Sequence, residues 1–198
     1  QFIDYIFWQK NGTLEDLFLD KSLFPQKKEL ADIYGAPLWG GGPPVKGVKY
    51  HQGLLLRPAS LMAKAINTSP MRRGAWLRTK ILCEDIDRAS KIHQEALSRF
   101  DREESLDPRL HSQRKIIEHQ TQGGTCFSCH ESINKLGFAL ENFDNFGQWR
   151  THSNFYSHRG EHLSTHPVDP MVELPGIDNR NLTYLKSPMD LNLSLIHI

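Results

Sequence analysis

Apolar residues recur at helical spacing through most of the first 150 positions, in short blocks separated by polar or Gly/Pro-rich stretches. Thr13 with Asp16 three residues on predicts a capping box ahead of Leu14, Leu17 and Phe18. Pro25 at a first helical position, a face of Leu30, Ile33 and Tyr34, and Gly35 as a left-handed stop predict a second helix, so that the two make a helical hairpin. The run Leu38-Trp39-Gly40-Gly41-Gly42-Pro43-Pro44 can hold no helix or strand interior and reads as a loop; no Lys-Ser/Thr follows it to suggest phosphate binding.

Leu54 to Leu56 leads into a helix opened by Pro58, with Leu61, Met62, Ala65 and Ile66 on one side. Ser69 then caps a stronger helix from Pro70 through Trp76, Leu77, Ile81 and Leu82. Glu84 to Glu104 is charged and helix-prone, an exposed connection. Asp107-Pro108 restarts a helix that turns Ile116 and Ile117 inward and ends at Gln122-Gly123-Gly124. Thr125 caps a short helix after it. From Thr151 to Asn192 prolines and glycines interrupt any sustained period, so this part reads as irregular. The expectation is a mainly α fold with long irregular connections.

Composition fits a globular chain: 38% hydrophobic residues, with 14 glycines in 198 positions. Lys plus Arg number 24 against 23 Asp plus Glu, a net +1 that supplies no basic field for nucleic acid. No apolar run reaches membrane-spanning length, so no membrane span is expected in this fragment. The chain opens at Gln1 and is read as starting inside a longer protein whose signal sequence is missing. Leu193 to Ile198 resembles the translation of a sequencing adapter and is set aside, with the natural sequence ending near Asn192.

The chemistry concentrates in Cys126-Phe127-Ser128-Cys129-His130. Two cysteines three apart followed at once by histidine is the spacing of a c-type haem attachment site. One helical turn presents two sulfurs to two vinyl groups, and the next residue can offer an imidazole to the iron. Cys126 and Cys129 are the expected attachment points and His130 the proximal ligand. A zinc knuckle is an alternative, but tetrahedral zinc wants a second pair of ligands, and the third cysteine, Cys83, stands alone and reads as a buried free thiol. A thioredoxin-like redox pair is a further alternative that expects a βαβ setting. Leu136, Phe138, Leu140, Phe143, Phe146 and Trp149 offer an apolar wall for a haem, Phe138 being the binding candidate.

The chain resembles the planctomycete-type cytochrome c family, large multidomain proteins of unknown function. The likeness rests on Tyr50-His51-Gln52-Gly53-Leu54-Leu55, then Thr68-Ser69-Pro70 with Arg73, Gly74 and Trp76, then Arg114 and His119, and finally the haem motif with Gly137-Phe138-Ala139-Leu140-Glu141-Asn142-Phe143-Asp144. The family's Ile-Asp-Pro-Leu-Gly-Phe is here Ile133-Asn134-Lys135-Leu136-Gly137-Phe138, without the Asp-Pro turn, and its Pro-rich linker is replaced by Glu84 to Glu104. The resemblance implies a cytochrome c-like helical haem module at 48–150, the end of a preceding helical domain at 1–47, and the start of a truncated C-terminal domain at 151–192. It also singles out Arg73 among Arg72, Arg73, Arg78 and Lys80 as a partner for haem propionates.

Met171 is the expected sixth ligand, with Met189 and His119 as other candidates; methionine would favour a high potential and a second histidine a low one. Glu141 and Asp144 share a helical face, but capping and pairing with Arg150 account for them without catalysis, and no catalytic residue is singled out. His158, His162 and His166 recur every four residues, yet Gly160 and Pro167 argue against a helix that would align them; a His-rich loop is the default and a metal clip the alternative. The expected function is covalent binding of one haem c and electron transfer within a larger exported protein, in the periplasm or at the cell surface, with a redox protein or attached domains as partner. The chain reads as an electron-transfer module more than a catalyst on its own; a haem domain serving an attached oxidoreductase or hydrolase, or a zinc-stabilised interaction module, are the other readings.

Overall fold

The structure is a computed structural model, and it describes residues 1–46, 48–63, 65–84, 86, 106–175 and 182–196. Phe2–Asp4 (α1) continues as a π-helical turn over Tyr5–Gln9. Leu14–Leu19 (α2) is opened by the expected capping box, with the Asp16 amide donating to Thr13 Oγ1 and the Thr13 amide to Asp16 Oδ2. Lys28–Tyr34 (α3) begins three residues after Pro25 and ends on Gly35, whose φ of +62° is the left-handed stop. Pro58–Leu61 (α4) is a single turn; Met62 is already extended, so the longer helix expected through Ile66 does not form. Pro70–Trp76 (α5) runs on into a π-helical turn at Leu77–Ile81. Gln113–Thr121 (α6) starts on Ser112, whose hydroxyl accepts from the Lys115 amide. Gly124–Phe138 (α7) is 15 residues long with Gly123 at its N-cap position, so Thr125, expected there, lies inside the helix. Pro188–Ser194 (α8), capped by Ser187, closes the described chain and takes in Leu193 and Ser194.

The mainly α, cytochrome c-like expectation is corrected by the region after Arg150. Helix accounts for 39% and strand for 12%, and the strands form two antiparallel hairpins. His152–Tyr156 (β1) pairs with His162–Pro167 (β2), His152 opposite Pro167 and Asn154 opposite Thr165, with a bulge at Phe155/Tyr156. Ser157 closes the turn, its hydroxyl accepting from the Arg159 and Glu161 amides, and Gly160 takes a φ of +82° that the turn requires. Val172–Pro175 (β3) pairs with Leu182–Leu185 (β4), Val172 opposite Leu185. β1 and β2 are built mainly from His, Ser, Thr and Asn, whereas β3 and β4 carry Val172, Leu174, Leu182 and Leu185 in runs of only four residues. The alternation that marks a half-buried strand is therefore faint in the first pair and too short to read in the second.

One apolar cluster joins the described chain from Leu55 to Leu191. Leu55 and Leu56 meet Leu61, Leu77, Ile117, Leu136, Leu140 and Phe143, and Val172, Leu185 and Leu191 join from the C-terminal side. The N-terminal segment is tied on by the backbone: Leu23 bridges Val45, the Gly53 amide donates to Asp20 O and the Leu54 amide to Leu17 O. Gly53, at φ +57°, could carry no side chain here, since a Cβ would lie 1.8 Å from the Phe18 carbonyl oxygen. Arg57, buried, holds the same junction by donating to Gly53 O and Ser22 O. The Asn192 amide of α8 donates to Phe18 O. Most of the charged run Glu84 to Glu104 lies outside the described residues.

Candidate functional site

Helices α5 and α7 cross in close contact, and glycine is the reason. At Gly74 a Cβ would stand 1.9 Å from the Ile133 carbonyl oxygen; at Gly137 it would stand 2.0 Å from that of Pro70. Backbone touches backbone at both positions. Above this crossing lies a buried polar knot. The Arg73 guanidinium donates to Leu61 O, Leu140 O, Phe143 O, Asp144 O and Glu141 Oε1, which holds the turn after α7 in place. Arg150 donates to Glu141 Oε2 at 2.9 Å, to Glu141 O and to Thr68 Oγ1, and Thr68 Oγ1 itself lies 2.8 Å from Glu141 Oε2. Burial pushes the Glu141 carboxyl up from its ordinary range, against the pull of Arg150, Arg73 and the Thr68 hydroxyl. Burial lowers Arg73, with Glu141 opposing.

The two stretches Thr68 to Trp76 and Gly137 to Asp144 thus form one structural unit, read residue against residue. Arg73 faces neither solvent nor an open cofactor edge; its donors are committed to the protein. Glu141 is engaged at both carboxylate oxygens, and Asp144 Oδ1 accepts from the Phe146 and Gln148 amides and so closes the turn that follows it. Leu136, Leu140 and Phe143 belong to the apolar core and do not form an open wall; Phe143 packs edge-on to Trp149, which stacks on Tyr50 with centroids 3.7 Å apart. Phe146 is exposed.

Cys126, Cys129 and His130 all fall in the N-terminal half of α7. The side chains of the two cysteines lie outside the described residues. His130 is half-buried, with Nδ1 3.3 Å from Asn134 Oδ1 one turn on. Asn134 Nδ2 in turn donates to Thr121 Oγ1 at 2.9 Å, and that hydroxyl donates to Ile117 O at 2.7 Å. A metal-bound histidine needs one ring nitrogen anchored by a hydrogen bond; Asn134 supplies that contact at Nδ1, so the residues present fit the proximal role.

A cleft of about 690 Å³ opens between α6, α7 and the β3–β4 hairpin, a size typical of ligand sites. Phe127, Phe138, Met171, Val172 and Leu185 give it an apolar lining. Arg114 lies over the Phe138 ring at 4.9 Å and donates to Asp169 O and Met171 O, fixing the strand-entry segment against α6. The structure therefore brings Phe138 and Met171 to one cleft, with Met171 exposed. His130 is not among the lining residues. His119 is exposed on α6, its Nδ1 beside the Gln122 amide, and Met189 packs against the core.

Cys83 is corrected from buried to exposed, at a φ of +55°. His162 and His166 sit on β2, His162 Nε2 beside Thr165 Oγ1, and the buried Nε2 of His166 has no partner among the described residues. No three His, Cys, Asp or Glu side chains among the described residues gather as a metal cage, and no described helix is long and apolar enough to cross a membrane. Sequence reading missed Asn134, Thr121 and the clamping role of Arg114. The first stands at the position where the chain departs from the Asp-Pro pattern, which was the available signal.

No curated protein and no solved structure matches the chain. A family model described as PSCyt3, protein of unknown function (DUF1588), matches residues 51–153. That span begins at the buried His51, takes in the α5–α7 crossing and its polar knot, and ends in β1, covering just over half of the 198 residues. The chain belongs to the PSCyt3 family.

Proposed function

We propose that the chain binds one haem c covalently through Cys126 and Cys129, with His130 as proximal ligand, and passes electrons within a larger exported protein. The observation that carries the reading is the Cys126-Phe127-Ser128-Cys129-His130 run on a single helix, with the His130 ring anchored through Nδ1. The family name, that of a planctomycete cytochrome c-associated family, supports it. When bound, haem supplies a one-electron iron couple. The α5–α7 crossing and the Arg73–Glu141–Arg150 knot keep the helix rigid on the side away from solvent, and the buried Thr121–Asn134 pair holds His130. Met171, on a segment clamped by Arg114, is the proposed sixth ligand. The partner is a redox protein or an attached domain, and the compartment is extracytoplasmic, where haem c is attached.

Intact mass spectrometry after co-expression with a haem c maturation system tests this. A mass increase of one haem that survives denaturation, and is absent from Cys126→Ala with Cys129→Ala, is expected. A chain of unmodified mass carrying zinc would overturn it in favour of a structural knuckle.

A further inference from the structure

The hydrogen bonds from α6 to His130 have a direction that can be worked out from donor chemistry alone. The Ile117 carbonyl only accepts, so the Thr121 hydroxyl, 2.7 Å away, spends its single proton there. The Thr121 oxygen can then only accept from Asn134, which fixes the amide with Nδ2 toward Thr121 at 2.9 Å and Oδ1 toward His130 Nδ1 at 3.3 Å. An amide oxygen also only accepts, so the imidazole proton must sit on Nδ1. Thr121 is 3% and Asn134 5% exposed, which leaves little room for water to take over any of these bonds.

We infer that Asn134 is a positioning residue that holds His130 in its Nδ1–H tautomer, so that Nε2 is presented as the free donor nitrogen toward the haem iron. The role in the haem-bearing protein rests on the function proposed above; the tautomer itself does not. Asparagine suits the position because it donates and accepts at once. A carboxylate could accept from His130 but could not donate to the Thr121 oxygen.

The full chain, purified without haem maturation, gives the tautomer directly from long-range ¹H–¹⁵N correlation of the His130 ring. The Nδ1–H pattern is expected for the wild type, and its loss in Asn134→Leu. Thr121→Val, nearly isosteric, is the second variant: it frees the Asn134 amide to turn and should mix the tautomers with folding intact. An Nε2–H pattern in the wild type, or an unchanged tautomer in both variants, would overturn the inference. In the haem-bearing chain Asn134→Leu should raise the midpoint potential, because an imidazole without an Nδ1–H acceptor is a weaker donor to iron; Asn134→Asp, which keeps the acceptor, should not raise it. Equal potentials in wild type and Asn134→Leu would count against the positioning role. If the wild type takes up no covalent haem, the proposed function fails while the ring correlation still decides what Asn134 does.

Discussion

Adding one methyl group at Gly74 should unfasten the contact on which the candidate site is built. Two effects oppose each other in Gly74→Ala. In a helix interior alanine is favoured over glycine by about 1 kcal/mol. Against this, the new Cβ would lie 1.9 Å from Ile133 O, 2.8 Å from its carbonyl carbon and 3.1 Å from the Gly137 nitrogen, where ordinary contact begins at 3.4 Å. The helices would have to part by about 1.5 Å, and everything met is backbone, with no flexible side chain to swing aside. Arg73, one residue away, is pinned to five oxygens, so α5 has little freedom to tilt. Overpacking of this kind costs about 3 kcal/mol or more, which outweighs the propensity gain and leaves a net loss of at least about 2 kcal/mol. For a chain of this length that is a fall of roughly 4–8 °C in Tm. Thermal unfolding followed by circular dichroism measures it, with Gly40→Ala as the control, since nothing lies within 4 Å of a Cβ there. A Tm for Gly74→Ala equal to or above wild type would refute the close crossing.

Other consequences follow from the same geometry. Glu141→Gln leaves Arg73 and Arg150 buried without their counter-charge and should cost about 3–5 kcal/mol, read as a lowered urea midpoint; an unchanged midpoint would mean that the knot is solvated. His51, 3% exposed and bonded to Gly147 O, is held by burial below its ordinary value of 6.5, so the folded state resists the proton that the unfolded chain takes up. Its contribution is complete above pH 6.5 and is lost as pH falls from there toward the lowered folded value; His51→Gln should flatten the stability profile in that window. Thr13→Ala removes the hydroxyl that accepts from Asp16 and should cost about 1 kcal/mol, measurable by chemical denaturation. Arg114→Ala frees the Asp169 and Met171 carbonyls, and limited proteolysis should then cut near 169–171 faster; equal rates would remove Arg114 as the clamp.

Local signals were legible where the chain carries its own instruction. The Thr13–Asp16 box, the Gly35 stop and the loop over Leu38 to Pro44 depend only on neighbours in sequence, and the structure has them. The start at Pro25 failed because Lys27 is still extended and the helix begins only at Lys28, with Pro25 itself fully buried. The β1–β2 pair was missed since its outward residues are polar and an inward one is as small as Ser164, anchored by its hydroxyl to Pro108 O, and the β3–β4 pair since each strand is only four residues long. Within the candidate site, Arg73 looked like a residue for an acidic ligand because a helix pattern does not say what lies across from it. Its acceptors come from positions 12 to 71 residues away, a pairing that only the fold supplies. Glu141 with Arg150 was legible, being nine residues apart.

The most direct test of the central proposal is a reduced-minus-oxidised visible spectrum of the full chain after periplasmic co-expression with a haem c maturation system, run beside a haem-stained denaturing gel. A sharp reduced α band, and a stained band that disappears in Cys126→Ala with Cys129→Ala, is the expected result. A colourless, unstained and folded chain would contradict covalent haem binding and with it electron transfer by this protein.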